Sequence, residues 1–187
     1  MKQERLESAY AGLEALCSGT ASELSRNVVR GEGNPNSPVV FVGEAPGAEE
    51  DNQRRPFVGT AGQILISALE SAGWKRSEVF ITNVVKCRPP HNRPPRKPEI
   101  QLFLPYLKKE LEVIEPKVIC LLGATATRAL TGKRLVEVCG KTILVDGQQY
   151  FSTYHPAAVI YNVALEKVFF EHIKLLKKIA EEVTSEV

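Results

Sequence analysis

The sequence contains no long apolar run, and no segment approaches the roughly 20 apolar residues that a membrane-spanning helix needs. The first ten residues, MKQERLESAY, are polar and carry none of the apolar core of a secretory signal peptide. We therefore expect a cytoplasmic protein with no membrane partner. Neither sign of charge is in clear excess, since 24 Lys and Arg oppose 22 Asp and Glu. Net charge alone therefore does not indicate a nucleic-acid partner.

Several common active-site motifs are also missing. The sequence has neither of the glycine-rich phosphate loops G-x-x-x-x-G-K-[ST] and G-x-G-x-x-G, and it lacks the G-x-S-x-G motif of serine hydrolases. The three histidines lie in separate segments without metal-ligand spacing, which argues against a zinc hydrolase. The wide, irregular spacing of the four cysteines is not typical of the disulfide framework of a secreted domain. They are Cys17, Cys87, Cys120 and Cys139.

Short apolar runs alternate with helix-like segments along the chain. Apolar runs predict strands at 38–43, 79–85 and 117–123, with a weaker β region at 141–154. Three- and four-residue apolar spacing predicts helices at 3–16, 60–72, 98–114, 124–130 and 164–183. Strands that are apolar on both faces and alternate with helices predict an α/β fold with a parallel sheet covered on both sides. No repeat or linker divides the 187 residues, so we expect a single domain over 1–187.

In such folds the working site lies beyond the carboxyl ends of the strands. Phe57, in the loop that follows the first predicted strand, offers a flat stacking surface, although a single Phe is more often part of a core. Asn83 ends an apolar strand, and its amide can read a nucleobase edge or simply cap the loop. His155 lies between a Tyr and a Pro, and the alternative to a functional role is a structural histidine.

A basic segment follows the second predicted strand. Between Lys86 and Lys97 the chain has five basic residues, one His and no acid. The segment is either a phosphate-binding surface or a solvated face without function, and composition leaves both interpretations open.

The loops together resemble a known family. The segments GEAPGAEED, RPFVGTAGQ, TNVVKCRPP and HPAAV occur in the order typical of family 4 of the uracil-DNA glycosylase superfamily. The resemblance extends from Gly31 to about Asn162. It implies a three-layer α/β/α sandwich with a central four-stranded parallel sheet, and hydrolysis of the N-glycosidic bond of deoxyuridine in DNA. It further implies a monomer that works at the nucleoid on single- or double-stranded DNA containing uracil.

The first motif carries part of the implied site. Glu44 and Ala45 match the segment that approaches the flipped base and organises the attacking water. Glu50 matches a carboxylate that shapes the uracil pocket, and Phe57 matches the aromatic residue that stacks on uracil.

The later motifs complete the implied site. Asn83 matches the amide that reads the pairing edge of uracil, and His155 matches the imidazole near uracil O2. The matched catalytic motifs contain no lysine, so the resemblance implies a monofunctional glycosylase without strand cleavage. The basic segment then becomes a predicted DNA-binding surface. Its predicted contacts are Lys86, Arg88, Arg93 and Arg96.

The cysteines depart from the family pattern, which places a [4Fe-4S] cluster on four thiolates. Cys17 and Cys87 match two of the ligand positions, whereas Thr20 and Leu102 occupy the other two. We therefore expect no cluster and no other cofactor, and the alternative is a cluster completed by the remaining two cysteines. We expect Thr20 and Leu102 to join the N-terminal helix to the 88–102 loop by hydrogen bonds and apolar packing.

A second departure follows His155, where Tyr161 replaces the usual Arg and leaves the residue that wedges the duplex undetermined. Two functional hypotheses remain. The first is an active uracil-DNA glycosylase. The second is a superfamily member that acts on another deaminated base such as hypoxanthine, or that binds DNA or a damaged base without catalysis.

Overall fold

Strands and helices alternate along the chain, as the apolar pattern predicts. The computed structural model describes residues 1–21 and 23–185. The strands are β1 (Glu32–Gly33), β2 (Val39–Gly43), β3 (Phe80–Asn83), β4 (Val118–Leu122), β5 (Thr142–Val145) and β6 (Gln148–Thr153). The helices are α1 (Lys2–Ala9), α2 (Leu13–Ser18), α3 (Ala48–Gln53), α4 (Thr60–Ser71), α5 (Lys97–Ile114), α6 (Ala124–Thr131), α7 (Leu135–Val138), α8 (Pro156–Tyr161) and α9 (Leu165–Ser185).

The strands form one sheet in the order β1-β3-β2-β4-β6-β5. Its four central strands, β3, β2, β4 and β6, are parallel, which confirms the predicted four-stranded parallel core. Two antiparallel strands extend it, β1 beside β3 and β5 beside β6. The sheet of the described residues therefore has six strands, two more than the resemblance implies.

Helices cover both faces of the sheet and confirm the three-layer sandwich. On one face, Val40 and Ile119 of the sheet pack with side chains of α1, α2 and α5 such as Phe103. On the other face, Phe41 and Cys120 pack with side chains of α4 and α9. Cys120 is fully buried, as expected for a strand residue, and burial raises the pKa of its thiol. Within residues 1–21 and 23–185, no helix has both the length and the apolar character to cross a membrane.

The N-terminal helix differs from the prediction of one segment over 3–16. It is divided into α1 and α2 by a turn at Gly12, whose φ of +89° is left-handed and cannot continue an α-helix. Glycine adopts this conformation without steric cost. The division lets both short helices place leucines, Leu6 and Leu13, in the same core.

Candidate active site

Two neighbouring strands bring the first candidate residues together. β2 ends at Gly43 and β3 ends at Asn83, and these two residues are paired in the parallel register. The pairing continues past both ends, because the Val84 amide donates to the Gly43 carbonyl over 3.0 Å. The Val85 amide donates to the Glu44 carbonyl over the same distance. Glu44 is therefore held beside Asn83 at the carboxyl edge of the sheet.

A cavity of about 330 Å³ opens at this edge. Its volume lies at the small end of the range for ligand pockets in proteins. The lining includes all six residues that the resemblance assigns to base binding and catalysis, although they come from four separate segments. The lining residues are Glu44, Ala45, Pro46, Gly47, Glu50, Phe57, Ala61, Asn83, Pro89, Asn92, Arg93, His155, Ala157 and Tyr161.

Phe57 forms one wall of the cavity. Its side chain is not exposed as a loop position suggests, since only 5% of the residue is accessible. Its φ of +52° is unfavourable for a non-glycine residue, and two contacts hold it there. The Arg76 guanidinium donates to the Phe57 carbonyl over 2.8 Å. Gly62 packs so closely that a Cβ on it would lie 2.1 Å from the same carbonyl oxygen.

Asn83 lies next to this wall and is 3% exposed. Its side-chain oxygen Oδ1 is buried and has no hydrogen-bond partner in the described part of the chain. A loop-capping Asn would have used this oxygen on a backbone amide, so the capping interpretation does not account for it. A Cβ on Gly43 would lie 2.5 Å from Asn83 Oδ1 and from the Phe57 ring, so only glycine leaves space there. Buried acceptors without partners are rare and costly. This oxygen is therefore a candidate acceptor for a hydrogen bond from a ligand.

The Glu50 carboxylate shapes the loop between these residues. Its Oε1 accepts hydrogen bonds from the amides of Val58 (3.0 Å) and Gly59 (2.8 Å). Gly59 is the N-cap of α4, where amides lack partners within the helix. Glu50 therefore fixes the segment after Phe57 to the start of α4, and its pocket-shaping role stays a prediction.

Glu44 and Ala45 also line the cavity. The Thr125 hydroxyl, at the start of α6, donates to the Glu44 carboxylate. Ala45 is partly buried and packs against the core formed with α1, α2 and α5. Sequence analysis did not single out Thr125, and its position three residues after the end of β4, at the carboxyl edge of the sheet, was the available signal.

His155 also lines the cavity, and its ring stacks beside the Phe57 ring, with ring centroids 5.6 Å apart and ring planes inclined by 28°. It is the N-cap of α8, and its Nδ1 accepts a hydrogen bond from the Ala157 amide over 3.0 Å. The neutral ring must then carry its proton on Nε2. Burial lowers the pKa of His155 to about 4, and the Glu50 charge opposes this shift. At neutral pH His155 is therefore a neutral donor through Nε2.

Lys86 does not belong to the basic surface, and its assignment to DNA binding is wrong. Its side chain is fully buried and forms an ion pair with the buried Glu110 carboxylate. The ammonium also donates to Thr82 Oγ1 (2.5 Å) and to the Asn83 carbonyl (2.7 Å), and the Tyr10 hydroxyl donates to Glu110 (2.6 Å). Burial lowers the pKa of Lys86 and Glu110 opposes this shift. Paired in this way, the ammonium cannot reach a phosphate.

The arginines of the basic segment already have partners on the protein. Arg93 donates to both oxygens of Glu99 over 2.9 and 2.7 Å, and its side chain is 24% exposed. Arg96 donates to Glu23 over 2.7 Å, and Arg88 Nε donates to the side-chain oxygen of Asn92 over 2.8 Å. Part of the positive charge is thus matched by carboxylates. DNA contact by Arg88, Arg93 and Arg96 stays a prediction.

The two matched cysteines are joined to each other. Cys17 of α2 and Cys87 form a disulfide with their Cα atoms 6.5 Å apart, a pairing that the cysteine spacing did not indicate. Leu102 packs against the adjoining core as expected, whereas Thr20 is exposed. Residues 1–21 and 23–185 contain no group of three or more His, Cys, Asp or Glu side chains placed to hold a metal ion. This donor set does not fit a four-thiolate cluster.

The chain is similar to known proteins over most of its length. Residues 30–177 match the family model described as the Uracil DNA glycosylase superfamily. The chain belongs to this superfamily. This uracil-DNA glycosylase superfamily member is 43% identical over 169 residues to the type-4 uracil-DNA glycosylase of Sulfurisphaera tokodaii, covering 84% of the chain and 77% of that protein. It is 42% identical over 168 residues to the type-4 uracil-DNA glycosylase of Thermotoga maritima, covering 86% of the chain and 88% of that protein.

A third relative has a similar level of sequence identity to this superfamily member. The type-4 uracil-DNA glycosylase of Pyrobaculum aerophilum is 46% identical over 154 residues, covering 77% of the chain and 79% of that protein. The resemblance read from four short motifs is thus confirmed over most of the chain.

Proposed function

We propose that this protein is a monofunctional uracil-DNA glycosylase that hydrolyses the N-glycosidic bond of deoxyuridine in DNA. The observation that carries the proposal is the buried, unpaired Oδ1 of Asn83, in one small cavity with Phe57 and His155. A base inside a duplex cannot reach such a cavity, so the nucleotide must be extruded at a cost of a few kcal/mol. Stacking of the base on the Phe57 ring returns about 1–3 kcal/mol.

Asn83 supplies the base selectivity in this proposal. Uracil presents an N3–H donor and an O4 acceptor, which complement the oxygen and the amino group of the Asn83 amide. Cytosine presents an acceptor at N3 and an amino donor at position 4, so both contacts are mismatched. Thymine carries an additional C5 methyl group, and in this proposal the cavity wall excludes it by direct contact at position 5 of the base.

His155 and Glu44 carry the chemistry. Bond cleavage produces an oxocarbenium-like sugar and an anionic uracil, and the Nε2–H of neutral His155 donates to O2 as negative charge develops there. The Glu44 carboxylate or the adjoining backbone carbonyl orients the water that attacks the sugar. No lysine is among the residues lining the cavity, which supports hydrolysis without a covalent amine intermediate and without strand cleavage.

The proposal is tested with single-stranded and duplex oligonucleotides that contain uracil, hypoxanthine, xanthine or only normal bases, followed by alkali to cut abasic strands. We expect alkali-labile product from uracil substrates only. Asn83→Asp reverses the polarity at one contact, and we expect it to lower or remove the preference for uracil over cytosine. Product from hypoxanthine alone would favour the other deaminated base, and no product at micromolar enzyme would favour a non-catalytic binder.

We propose further that the protein carries no iron–sulfur cluster, because Cys17 and Cys87 are bonded to each other and the other two ligand positions are Thr20 and Leu102. Protein purified without oxygen is expected to be colourless and free of stoichiometric iron. The variant Thr20→Cys/Leu102→Cys, which supplies four thiolates at the matched positions, is the positive control for cluster loading. A brown wild-type protein with about four irons per chain would contradict the proposal.

On the same proposal, the protein acts as a monomer at the nucleoid in the cytoplasm, and its partner is DNA containing uracil. In this proposal neither an iron–sulfur cluster nor any other cofactor takes part in the reaction.

A further inference from the structure

A second cavity, of about 730 Å³, lies beside the candidate active site. It is formed by the first turns of α5 and α6 and by the segment that leads into α5. Its lining residues are Pro95, Lys97, Ile100, Gln101, Leu104, Ala124, Thr125, Arg128 and Ala129. We call it the α5–α6 groove.

Two elements connect the α5–α6 groove to the active-site cavity. Pro89, Asn92 and Arg93 line the active-site cavity, and Pro95 and Lys97 of the same segment line the groove. Thr125 lines the groove, and its hydroxyl donates to the Glu44 carboxylate in the active site. The groove is therefore adjacent to the active-site cavity, on the side of the 89–97 segment and Thr125.

The charge of the α5–α6 groove distinguishes it from the other described cavities. Its charged lining residues are Lys97 and Arg128, and it has no carboxylate. Each of the other four described cavities has at least two acidic residues in its lining. Lys97 and Arg128 are exposed and take part in no ion pair within the described residues, in contrast to Arg93 and Arg96.

The floor of the groove is apolar. Ile100, Leu104 and Ala129 are partly buried and pack on the core below. Apolar side chains flanked by two unpaired cations complement a sugar–phosphate strand, in which deoxyribose and base faces alternate with anionic phosphates.

We propose that the α5–α6 groove binds the DNA strand adjacent to the extruded uridine, with Lys97 and Arg128 on its phosphates. The inference rests on the proposed function, since it places the flanking nucleotides of the same substrate. The groove contacts the backbone and the faces of the flanking bases, and it does not read their sequence.

The test compares Lys97→Gln/Arg128→Gln with wild type on a short substrate and on long single strands. The short substrate has one nucleotide on each side of deoxyuridine, and the long strands extend from it toward either the 5′ or the 3′ end. For the long strand whose extension enters the groove, we expect kcat/KM of the double variant to be roughly tenfold lower than that of wild type. For the short substrate we expect the two proteins to have the same kcat/KM. The salt dependence of binding should weaken by about 1.4 in the slope of log K against log salt, because two single-strand phosphate contacts are lost.

The matched control is Lys174→Gln/Lys178→Gln, which removes the same charge from exposed positions on α9, in the opposite layer. Equal losses in both double variants, or an equal loss on the short substrate, would overturn the groove proposal. Anisotropy with a labelled strand that lacks uracil measures the salt slope without any chemistry. An absence of uracil excision in wild type together with the expected change in slope would refute the proposed function and leave the groove supported.

Discussion

Replacement of His155 by alanine is expected to slow uracil release under single-turnover conditions by roughly 100- to 1,000-fold, with little change in DNA affinity. A hydrogen bond aimed at developing negative charge is worth about 2.7–4 kcal/mol, and alanine removes the Nε2–H that would supply it. The measurement is the single-turnover rate constant, with DNA binding followed separately by anisotropy.

The variant His155→Asn separates catalysis from folding. The Asn side chain can accept the Ala157 amide as an N-cap, as His155 Nδ1 does, but it places no donor at the Nε2 position. We expect His155→Asn to be about as slow as His155→Ala and more stable. A rate within threefold of wild type for either variant would remove His155 from the mechanism, with roughly 0.7 kcal/mol as the corresponding limit.

The lowered pKa of His155 gives this prediction a pH dependence. The ring is neutral in the folded protein down to about pH 4, so protonation of His155 should reduce activity only near that pH. The unfolded chain binds this proton near pH 6.5. The stability contributed by neutral His155 is therefore complete above pH 6.5 and is lost as the pH falls from there toward 4.

The second large effect is expected from Lys86→Met, which should lower the free energy of unfolding by about 3–5 kcal/mol. Methionine fills much of the space of the lysine stem, but the Glu110 carboxylate is left buried without its cation. Urea unfolding measures the change as a shift in midpoint at constant slope.

The double variant Lys86→Met/Glu110→Leu is the matched control. Apolar replacement of both partners of a buried ion pair is often close to neutral, so most of the lost stability should return. If Lys86→Met alone were as stable as wild type, the ion pair with Glu110 would make no net contribution to the free energy of unfolding, and the prediction would be wrong.

The parts of the structure that follow from local pattern could be predicted from the sequence. Continuous apolar runs marked the parallel strands β2, β3 and β4, since both faces of these strands are buried. The β5–β6 hairpin was read only as a weak β region, although Asp146 and Gly147 both have positive φ, as its tight turn requires. The two-residue strand β1 is too short to leave a periodic signal.

Features set by contacts distant in sequence could not be predicted in the same way. Lys86 was predicted to contact DNA because it begins the basic segment, whereas its burial depends on Glu110, which is 24 residues away on another element. The Cys17–Cys87 disulfide joins residues that are 70 apart in the sequence, so local sequence pattern does not indicate it either. Motif resemblance placed the six cavity residues, whereas their hydrogen-bond states, including the unpaired Asn83 oxygen, depend on the packing around them.

The unpaired oxygen of Asn83 lowers the stability of the fold at the cavity. A buried acceptor without a partner costs about 1–3 kcal/mol, and an apolar residue at this position would not incur that cost. Residue 83 therefore embodies a trade-off between stability and activity, in which the free protein is less stable than its core allows. A base that donates its N3–H to this oxygen would remove that cost, so substrate binding would stabilise the fold at residue 83 itself, whereas the buried Asp51 Oδ1 and Ser152 Oγ, which also lack partners among the described residues, would not be affected.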